Sequence, residues 1–291
     1  MLTRRELLIK SATLATALPA ARLAAAFPAT SKLQTIGIRP FDISPDNAAQ
    51  TFHDLEATGF REMEVPYKDV EACWAVVRTS SMKKVSVYID GTLTFPGKED
   101  ELSRTLDQVK KWGFSYASCS YRQIDEGTGV ADKYRIFAER MNKAGARCRA
   151  AGLGPLLYHN QIFEFQPDKG TTGYQALLDE QDKDLCALEL DVYWVSLAGH
   201  DPAEYLRKLA GRVKIMHFKD KPAGLPPMYV HAPGPGNFLD VGEGSLDWPS
   251  ILRAAAASHV EHYIVEPDAR SASDMVMHAR KSFQYLSSLE Y

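Results

Sequence analysis

The sequence predicts an α/β protein built as a (β/α)₈ barrel, and three observations support that fold class. Short apolar runs alternate eight times with helical patterns, which indicates parallel strands joined by crossover helices. Several runs are apolar at consecutive positions, as expected for parallel strands that are buried on both faces. No GxGxxG motif follows the first run, which argues against the main alternative, a doubly wound dinucleotide-binding sheet.

The predicted strands and helices follow from these runs in order. The strands are 33–39, 61–65, 85–90, 114–119, 155–159, 186–191, 213–218 and 262–266. The helices with the clearest boundaries are 46–58, 131–151, 203–209, 246–257 and 272–286. Gly152 ends the second of these, and Asp201 followed by Pro202 begins the third. Residues 221–240 are rich in Pro and Gly, which predicts a long loop at the catalytic end of the barrel.

The composition is that of an ordinary globular chain. Of its 291 residues, 45% are apolar and 24% charged, and 34 Lys and Arg nearly balance 37 Asp and Glu. We therefore expect no nucleic-acid partner. No apolar run of about 18 residues occurs after the first thirty positions, so we expect no stable membrane anchoring. The four cysteines form no CxxC pair, which excludes zinc-ribbon spacing and leaves a disulfide open.

Residues 1–26 have the features of an export signal. Arg4 and Arg5 precede a modestly apolar stretch, and three alanines at 24–26 are the small residues that a signal peptidase requires. The segment resembles a twin-arginine (Tat) signal, which is an address read by the Tat machinery rather than an anchor. The alternative is an amphipathic N-terminal helix. We expect the Tat machinery as a partner and a periplasmic or secreted protein whose residues 27–291 form one barrel domain.

Four consecutive predicted strands end in a residue that can bind a metal. The segments LLYHNQ, LELD, IMHF and YIVEPD contain His159, Asp191, His217 and Glu266. Functional residues of a (β/α)₈ barrel lie at the carboxyl ends of its strands, so these side chains should meet at one rim. Two imidazoles and two carboxylates suit one divalent ion, namely Mn²⁺, Zn²⁺, Co²⁺ or Fe²⁺. Glu164, just past the fifth strand, is a fifth candidate.

These segments also carry a family resemblance. GFREMEV, YHNQIFEF, ALELDVYW, VKIMHFKDK, VGEGSLDW and YIVEPD are similar to segments of the xylose isomerase-like TIM barrel superfamily, the sugar phosphate isomerase/epimerase group. The resemblance covers about residues 33–288. It implies one divalent metal, bound by a carboxylate on the fifth strand, Asp on the sixth, His on the seventh and Glu on the eighth. Asp191, His217 and Glu266 match the last three of these ligands.

The chain departs from this pattern at the fifth strand, where His159 stands in place of the glutamate of the epimerases. Exported relatives often read YHNHxFEF here, and in this chain Gln161 replaces the second histidine of that motif. Two interpretations stay open. Either His159 binds the metal and Glu164 is the base, or Glu164 reaches the metal and His159 handles protons or substrate.

The resemblance implies a metal-dependent carbohydrate isomerase, epimerase or lyase, which acts through an enediolate on a keto-sugar or 3-keto-glycoside. Glu164, His159 and Glu266 are its expected catalytic residues. The sequence contains no obvious phosphate cradle, which argues against a sugar phosphate as substrate. The alternative function is a non-catalytic periplasmic sugar-binding barrel, in which His159 and Gln161 mark a lost catalytic pair.

Five further side chains are candidate substrate contacts, each with a purely structural role as the alternative. Lys219 lies two residues after His217 and is suited to bind a hydroxyl or an enolate oxygen. The other four are Glu64 at the second strand end, Gln161, His231 in the long loop, and Trp194 as a wall for a sugar ring. A homo-oligomer is compatible with the sequence.

Overall fold

Eight parallel strands close into a barrel in the computed structural model, which describes residues 31–123, 126–230, 236–267 and 271–291. The strands are β1 (Gly37–Ile38), β2 (Glu62–Pro66), β3 (Lys83–Tyr88), β4 (Tyr116–Cys119), β5 (Leu156–His159), β6 (Cys186–Asp191), β7 (Val213–Phe218) and β8 (His262–Val265). Each pairs in parallel with its neighbours in chain order, and β8 returns to β1. The predicted (β/α)₈ barrel is confirmed.

The first predicted strand, 33–39, is too long. Only Gly37 and Ile38 pair with both neighbours, β8 on one side and β2 on the other. The barrel closes tightly at this point, because a Cβ on Gly37 would lie 2.3 Å from Cδ1 of Ile264. A glycine therefore permits the two strands to approach.

Helices follow the strands and form the outer layer. They are α1 (Ala48–Thr58), α2 (Tyr67–Val77), α3 (Glu99–Lys111), α4 (Val130–Ala150), α5 (Gly173–Glu180), α6 (Val192–Leu197), α7 (Pro202–Lys208), α8 (Trp248–Ala257) and α9 (Ala272–Ser288). The five predicted helices match α1, α4, α7, α8 and α9 to within about two residues. The sequence did not delimit the other four, and α6 was hidden because its residues, VYWVSL, read as an apolar run.

Alternation along the strands sends every second side chain into the barrel lumen. An apolar layer fills the middle of the lumen and consists of Val85, Leu157, Ala187, Ile215 and Ile264. Toward the carboxyl ends, Glu189 and Asp191 follow Ala187 on the same face of β6, and His217 follows Ile215 on β7. Apolar side chains therefore close the middle of the lumen, and the lumen is polar between this layer and the carboxyl ends of the strands.

One aspartate fixes the chain after β7. The Asp220 carboxylate accepts four hydrogen bonds of 2.8–3.2 Å, from the backbone N–H groups of Lys221, Gly242 and Leu246 and from the Trp248 indole. Gly244 passes so close that a Cβ there would lie 2.1 Å from Asp220 Oδ1. Residues 221–230 and 236–240 contain no helix, as the sequence predicts for a long loop.

The cysteines Cys73, Cys119, Cys148 and Cys186 are all buried and free of disulfide bonds. All four pack within the hydrophobic core. Among the described residues, no helix is long and apolar enough to cross a membrane. The predicted signal, residues 1–26, lies outside the described residues.

Candidate active site

The four strand-end residues named by the sequence come together at the carboxyl end of the barrel. One potential ligand atom from each of His159, Asp191, His217 and Glu266 lies within 4.8 Å of the others. Nε2 of His159 is 3.8 Å from Oδ2 of Asp191 and 3.9 Å from Oε2 of Glu266. Nδ1 of His217 is 2.9 Å from Oε2 of Glu266. We refer to these four residues as the rim cluster.

A second group of carboxylates lies deeper in the lumen, beneath the rim cluster. Nε2 of His217 is 3.3 Å from Oε1 of Glu64 and 3.2 Å from Oε1 of Glu189. Glu64 and Glu189 are fully buried, and neither carboxylate oxygen of Glu189 has a hydrogen-bond partner. The two ring nitrogens of His217 therefore face different carboxylates, one in the rim cluster and one in this deeper pair.

Two cations, buried Lys219 and partly buried Arg39, hold the carboxylates in place. Nζ of Lys219 lies 2.8 Å from Oδ2 of Asp191 and 2.9 Å from Oε2 of Glu266. Arg39 spans both layers, because its Nη1 donates to Oε1 of Glu266 at 2.6 Å and its Nε lies 3.2 Å from Oε1 of Glu64. The Arg39 guanidinium carbon also stands 4.5 Å from the centroid of the Tyr88 ring.

The donor set fits a divalent cation. Four carboxylates (Glu64, Glu189, Asp191 and Glu266) face two cationic side chains (Arg39 and Lys219), so a bound divalent ion would be matched by two negative charges with every carboxylate ionised and both imidazoles neutral. Nε2 of His159 is buried and has no hydrogen-bond partner. Buried charges need compensation, and imidazole nitrogens with carboxylate oxygens suit Mn²⁺, Fe²⁺, Co²⁺ or Zn²⁺.

Burial and charge set opposite protonation preferences for the two histidines. Burial, reinforced by the nearby charge of His217, lowers the pKa of His159 well below its usual value. Burial also lowers the pKa of His217, but the carboxylates of Glu189 and Glu64 outweigh it and raise that pKa to about 10. His159 is therefore a neutral imidazole, with a lone pair on one of its two ring nitrogens.

His159 is held from behind by hydroxyl and amide groups. Ser120 Oγ lies 3.2 Å from Nδ1 of His159 and donates to the His159 carbonyl oxygen at 3.0 Å. Tyr88 Oη donates to Ser120 Oγ at 2.5 Å. Nε2 of Gln161 is 3.4 Å from Nδ1 of His159, so the residue that replaces the motif's second histidine contacts the first.

Glu164 lies apart from the rim cluster and belongs to neither group of potential ligands. Its carboxylate accepts hydrogen bonds from Tyr158 Oη at 2.7 Å, Tyr134 Oη at 3.4 Å and the Gln161 backbone N–H at 2.5 Å. Tyr158 and His159 are consecutive in β5, so their side chains point to opposite faces of the strand. Of the two interpretations left open by the sequence, this placement favours His159 as the ligand and does not favour Glu164 as the base.

The remaining predicted contacts differ in their positions. Lys219 is inside the site, and its Nζ lies 5.6 Å from the Trp194 ring centroid. Trp194 is buried and packs edge-on against Phe238, so it supports the site from the side. Glu64 lies in the lumen below the rim rather than at its edge. His231 lies outside the described residues.

Sequence reasoning missed four side chains of the site: Arg39, Tyr88, Ser120 and Glu189. Glu189 had a clear signal, because the alternation in LELD puts it on the same strand face as Asp191. Arg39 had a weaker sequence signal, which is its position directly after the first strand. Tyr88 and Ser120 matter only through their contact with His159, which strand patterns do not reveal.

Fold and site together define a (β/α)₈ barrel with a buried His–carboxylate centre at the carboxyl ends of β5–β8. Residues 56–289 match the xylose isomerase-like TIM barrel family, and the chain belongs to that family.

Known relatives are similar over most of the chain. An inosose dehydratase of Clostridium perfringens is 23% identical over 273 residues, which cover 82% of this chain and 90% of the relative. A sugar phosphate isomerase/epimerase structure from Parabacteroides distasonis has a TM-score of 0.67 at 19% identity and covers 93% of this chain and 99% of its own. A 3-keto-D-glucoside 4-epimerase structure from E. coli has a TM-score of 0.64 at 14% identity, with coverages of 88% and 99%. The structural likenesses show the fold.

Proposed function

We propose that this protein is a metal-dependent carbohydrate isomerase, epimerase or lyase, which forms an enediolate from a keto-sugar or a 3-keto-glycoside. The observation that carries the proposal is the convergence of His159, Asp191, His217 and Glu266 within 4.8 Å. The relatives support it, because their names include a dehydratase and epimerases of sugars or related polyols.

The rim cluster would hold one divalent ion, with His159, Asp191, His217 and Glu266 as ligands. Such an ion polarises a carbonyl and stabilises the negative charge that develops on its oxygen when the adjacent carbon loses a proton. The deeper pair, Glu64 and Glu189, would orient the His217 ring, because their negative charges at 3.3 and 3.2 Å favour a proton on Nε2 and leave Nδ1 to bind the ion.

The chain's own side chains supply proton transfer. Glu266 is the only rim-cluster residue with an appreciable exposed fraction, 13% of its side chain, so substrate can reach it from the barrel mouth. Burial raises its pKa, but Lys219 and Arg39 outweigh that effect and hold the pKa well below its usual value. An ionised Glu266 is able to accept the proton from carbon, and neutral His159 is the alternative acceptor if its ring does not bind the ion.

Lys219 provides a positive charge beside the ionised Glu266. Burial lowers the pKa of its ammonium, but Asp191 and Glu266 outweigh burial and raise it. A protonated Lys219 would donate to the enediolate oxygen. Return of the proton to the opposite face gives an epimer, return to the former carbonyl carbon gives an isomer, and loss of a substituent on the next carbon gives elimination.

The proposal includes export. We infer that the Tat-like segment 1–26 directs the protein to the periplasm or outside the cell, where unphosphorylated sugars and glycosides are the expected substrates. This is supported by the twin arginines Arg4 and Arg5 and by the small residues at 24–26. Fusion of residues 1–30 to a reporter, with Arg4→Lys and Arg5→Lys together as the control, tests it. Loss of export in the control supports the proposal, and unchanged export contradicts it.

Solvent exchange tests the activity. The protein, loaded with Mn²⁺, is incubated in D₂O with free keto-sugars and with 3-keto-glucosides, and the products are followed by NMR and mass spectrometry. We expect metal-dependent deuterium incorporation next to the ketone, and the product identifies the branch. Binding of the sugars without any exchange would contradict the proposal and support the non-catalytic sugar-binding barrel.

A further inference from the structure

The mouth of the barrel extends well beyond the rim cluster. A cavity of about 610 Å³ lies over the carboxyl ends of β1–β4, on the opposite side of the mouth from β5–β8. Arg39 and Tyr88 line it, and both also belong to the site, through Glu266 and Ser120 respectively. The site and the cavity therefore share two side chains, Arg39 and Tyr88, and lie next to each other.

A groove continues the cavity outward between α2 and α3. The groove has a volume of about 510 Å³ and shares Tyr67, Glu101 and Thr105 with the cavity. Its far wall is aromatic, with ring centroids 4.9 Å apart for Tyr67 and Trp112 and 5.8 Å apart for Trp74 and Trp112. Cavity and groove together are larger than one sugar ring needs, since drug-sized ligands occupy pockets of about 300–1,000 Å³.

The lining matches a neutral, ring-containing polar ligand. Aromatic rings offer faces to the C–H groups of a sugar or to an aromatic aglycone, and the polar side chains beside them are able to bind hydroxyls. The charges are nearly balanced and partly paired. Arg122 Nε lies 3.2 Å from Asp90 Oδ1, and Arg39 is engaged by two carboxylates. This arrangement favours a hydroxyl-rich ligand over a phosphorylated one.

We propose that the substrate is a glycoside rather than a free monosaccharide. Its keto-ring lies at the rim cluster, and its glycosidically linked group occupies the cavity over β1–β4 against Tyr67. This inference rests on the proposed function and names the substrate class for the same site. Tyr67 has the key position, because it is the aromatic residue common to the cavity and the groove.

The test compares two substrates in three proteins. KM is measured for a free 3-keto-sugar and for the matching 3-keto-glucoside of a second glucose, with wild type, Tyr67→Ala and Tyr67→Phe. In wild type we expect a lower KM for the glycoside. In Tyr67→Ala the glycoside's KM should rise roughly tenfold more than that of the free sugar, whereas Tyr67→Phe retains the ring and the preference. Equal KM values in wild type, or equal effects of Tyr67→Ala on both substrates, would overturn the inference.

A binding measurement separates this inference from the proposed activity and needs no turnover. Wild type is titrated with glucose and with unoxidised glucosyl-glucose, and binding is followed by ligand-observed NMR. Tighter binding of the disaccharide by about tenfold supports the cavity assignment even if neither keto-substrate reacts, an outcome that would refute only the proposed activity. Equal affinities for the two sugars would overturn the cavity assignment. Because wild type alone is used, instability of Tyr67→Ala does not affect this result.

Discussion

Two buried His–Glu pairs stand at opposite ends of the same barrel lumen. At the amino end, Nδ1 of His262 lies 2.8 Å from Oε2 of Glu62. At the carboxyl end, Nδ1 of His217 lies 2.9 Å from Oε2 of Glu266. The contacts are nearly identical in chemistry and length, and the surroundings differ. Glu62 has one further partner, Lys83, whereas the second pair has three more carboxylates and two cations around it.

An ion pair by itself therefore does not mark a functional site. The amino-end pair is complete, and among its nitrogen and oxygen atoms none is buried without a partner. The carboxyl-end pair stands among more carboxylates than cations and beside buried atoms without a hydrogen-bond partner, such as Nε2 of His159 and both oxygens of Glu189. Barrels place function at the carboxyl ends of strands and stability at the amino ends, and these two pairs follow that division.

The largest effect is expected from removal of one rim-cluster charge. Asp191→Asn keeps the shape of the side chain but weakens its hold on a divalent ion, so the rate of deuterium exchange should fall at least about 100-fold. Exchange is measured by NMR at saturating Mn²⁺, with thermal unfolding as a check of folding. If Asp191→Asn exchanged deuterium at the wild-type rate, the rim cluster would not be the site of proton exchange.

Removal of the deeper carboxylate should have the next largest effect. Glu189→Gln retains the volume but removes the negative charge 3.2 Å from Nε2 of His217, so the affinity for Mn²⁺ should fall about 10- to 100-fold while the protein still reaches full occupancy at high metal. Titration calorimetry measures the affinity. An unchanged Kd would show that Glu189 does not orient His217.

Glu164 should affect the pH dependence of stability. Burial raises its pKa from 4.5 to about 7, so the folded state favours the protonated form. The stability that this provides is present below about pH 4.5 and is lost as the pH rises through 7. Relative to Glu164→Gln, wild type should lose up to about 3 kcal/mol across that range, measured by urea unfolding at several pH values. Parallel pH profiles for the two proteins would contradict this description of Glu164.

The smallest effect is expected at the amino end. Glu62→Gln weakens the pair with His262 and should lower the free energy of unfolding by about 1 kcal/mol, without a change in Mn²⁺ affinity. Urea unfolding and calorimetry on the same sample measure both quantities. A loss of Mn²⁺ affinity in Glu62→Gln would contradict the assignment of metal binding to the carboxyl end of the barrel alone.

Most of the barrel could be predicted, because buried parallel strands carry a strong local signal. The predicted ends of the strands that contain His159, Asp191 and His217 are correct to the residue, and parallel geometry then brings these three side chains together. Arg39 could not be assigned, since its partner Glu266 is 227 residues away and they meet only when the barrel closes. The position of Glu164 was also beyond prediction, because it follows the strand in a 3₁₀ turn whose direction depends on Tyr134 and Tyr158.

Metal content tests most directly whether the rim cluster is a divalent-metal site. Wild type, Asp191→Asn and Glu62→Gln are loaded with Mn²⁺, desalted, and analysed for metal per chain by mass spectrometry. We expect one ion per chain in wild type and in Glu62→Gln, and a marked loss in Asp191→Asn. No bound ion in wild type, or equal metal in all three proteins, would contradict it.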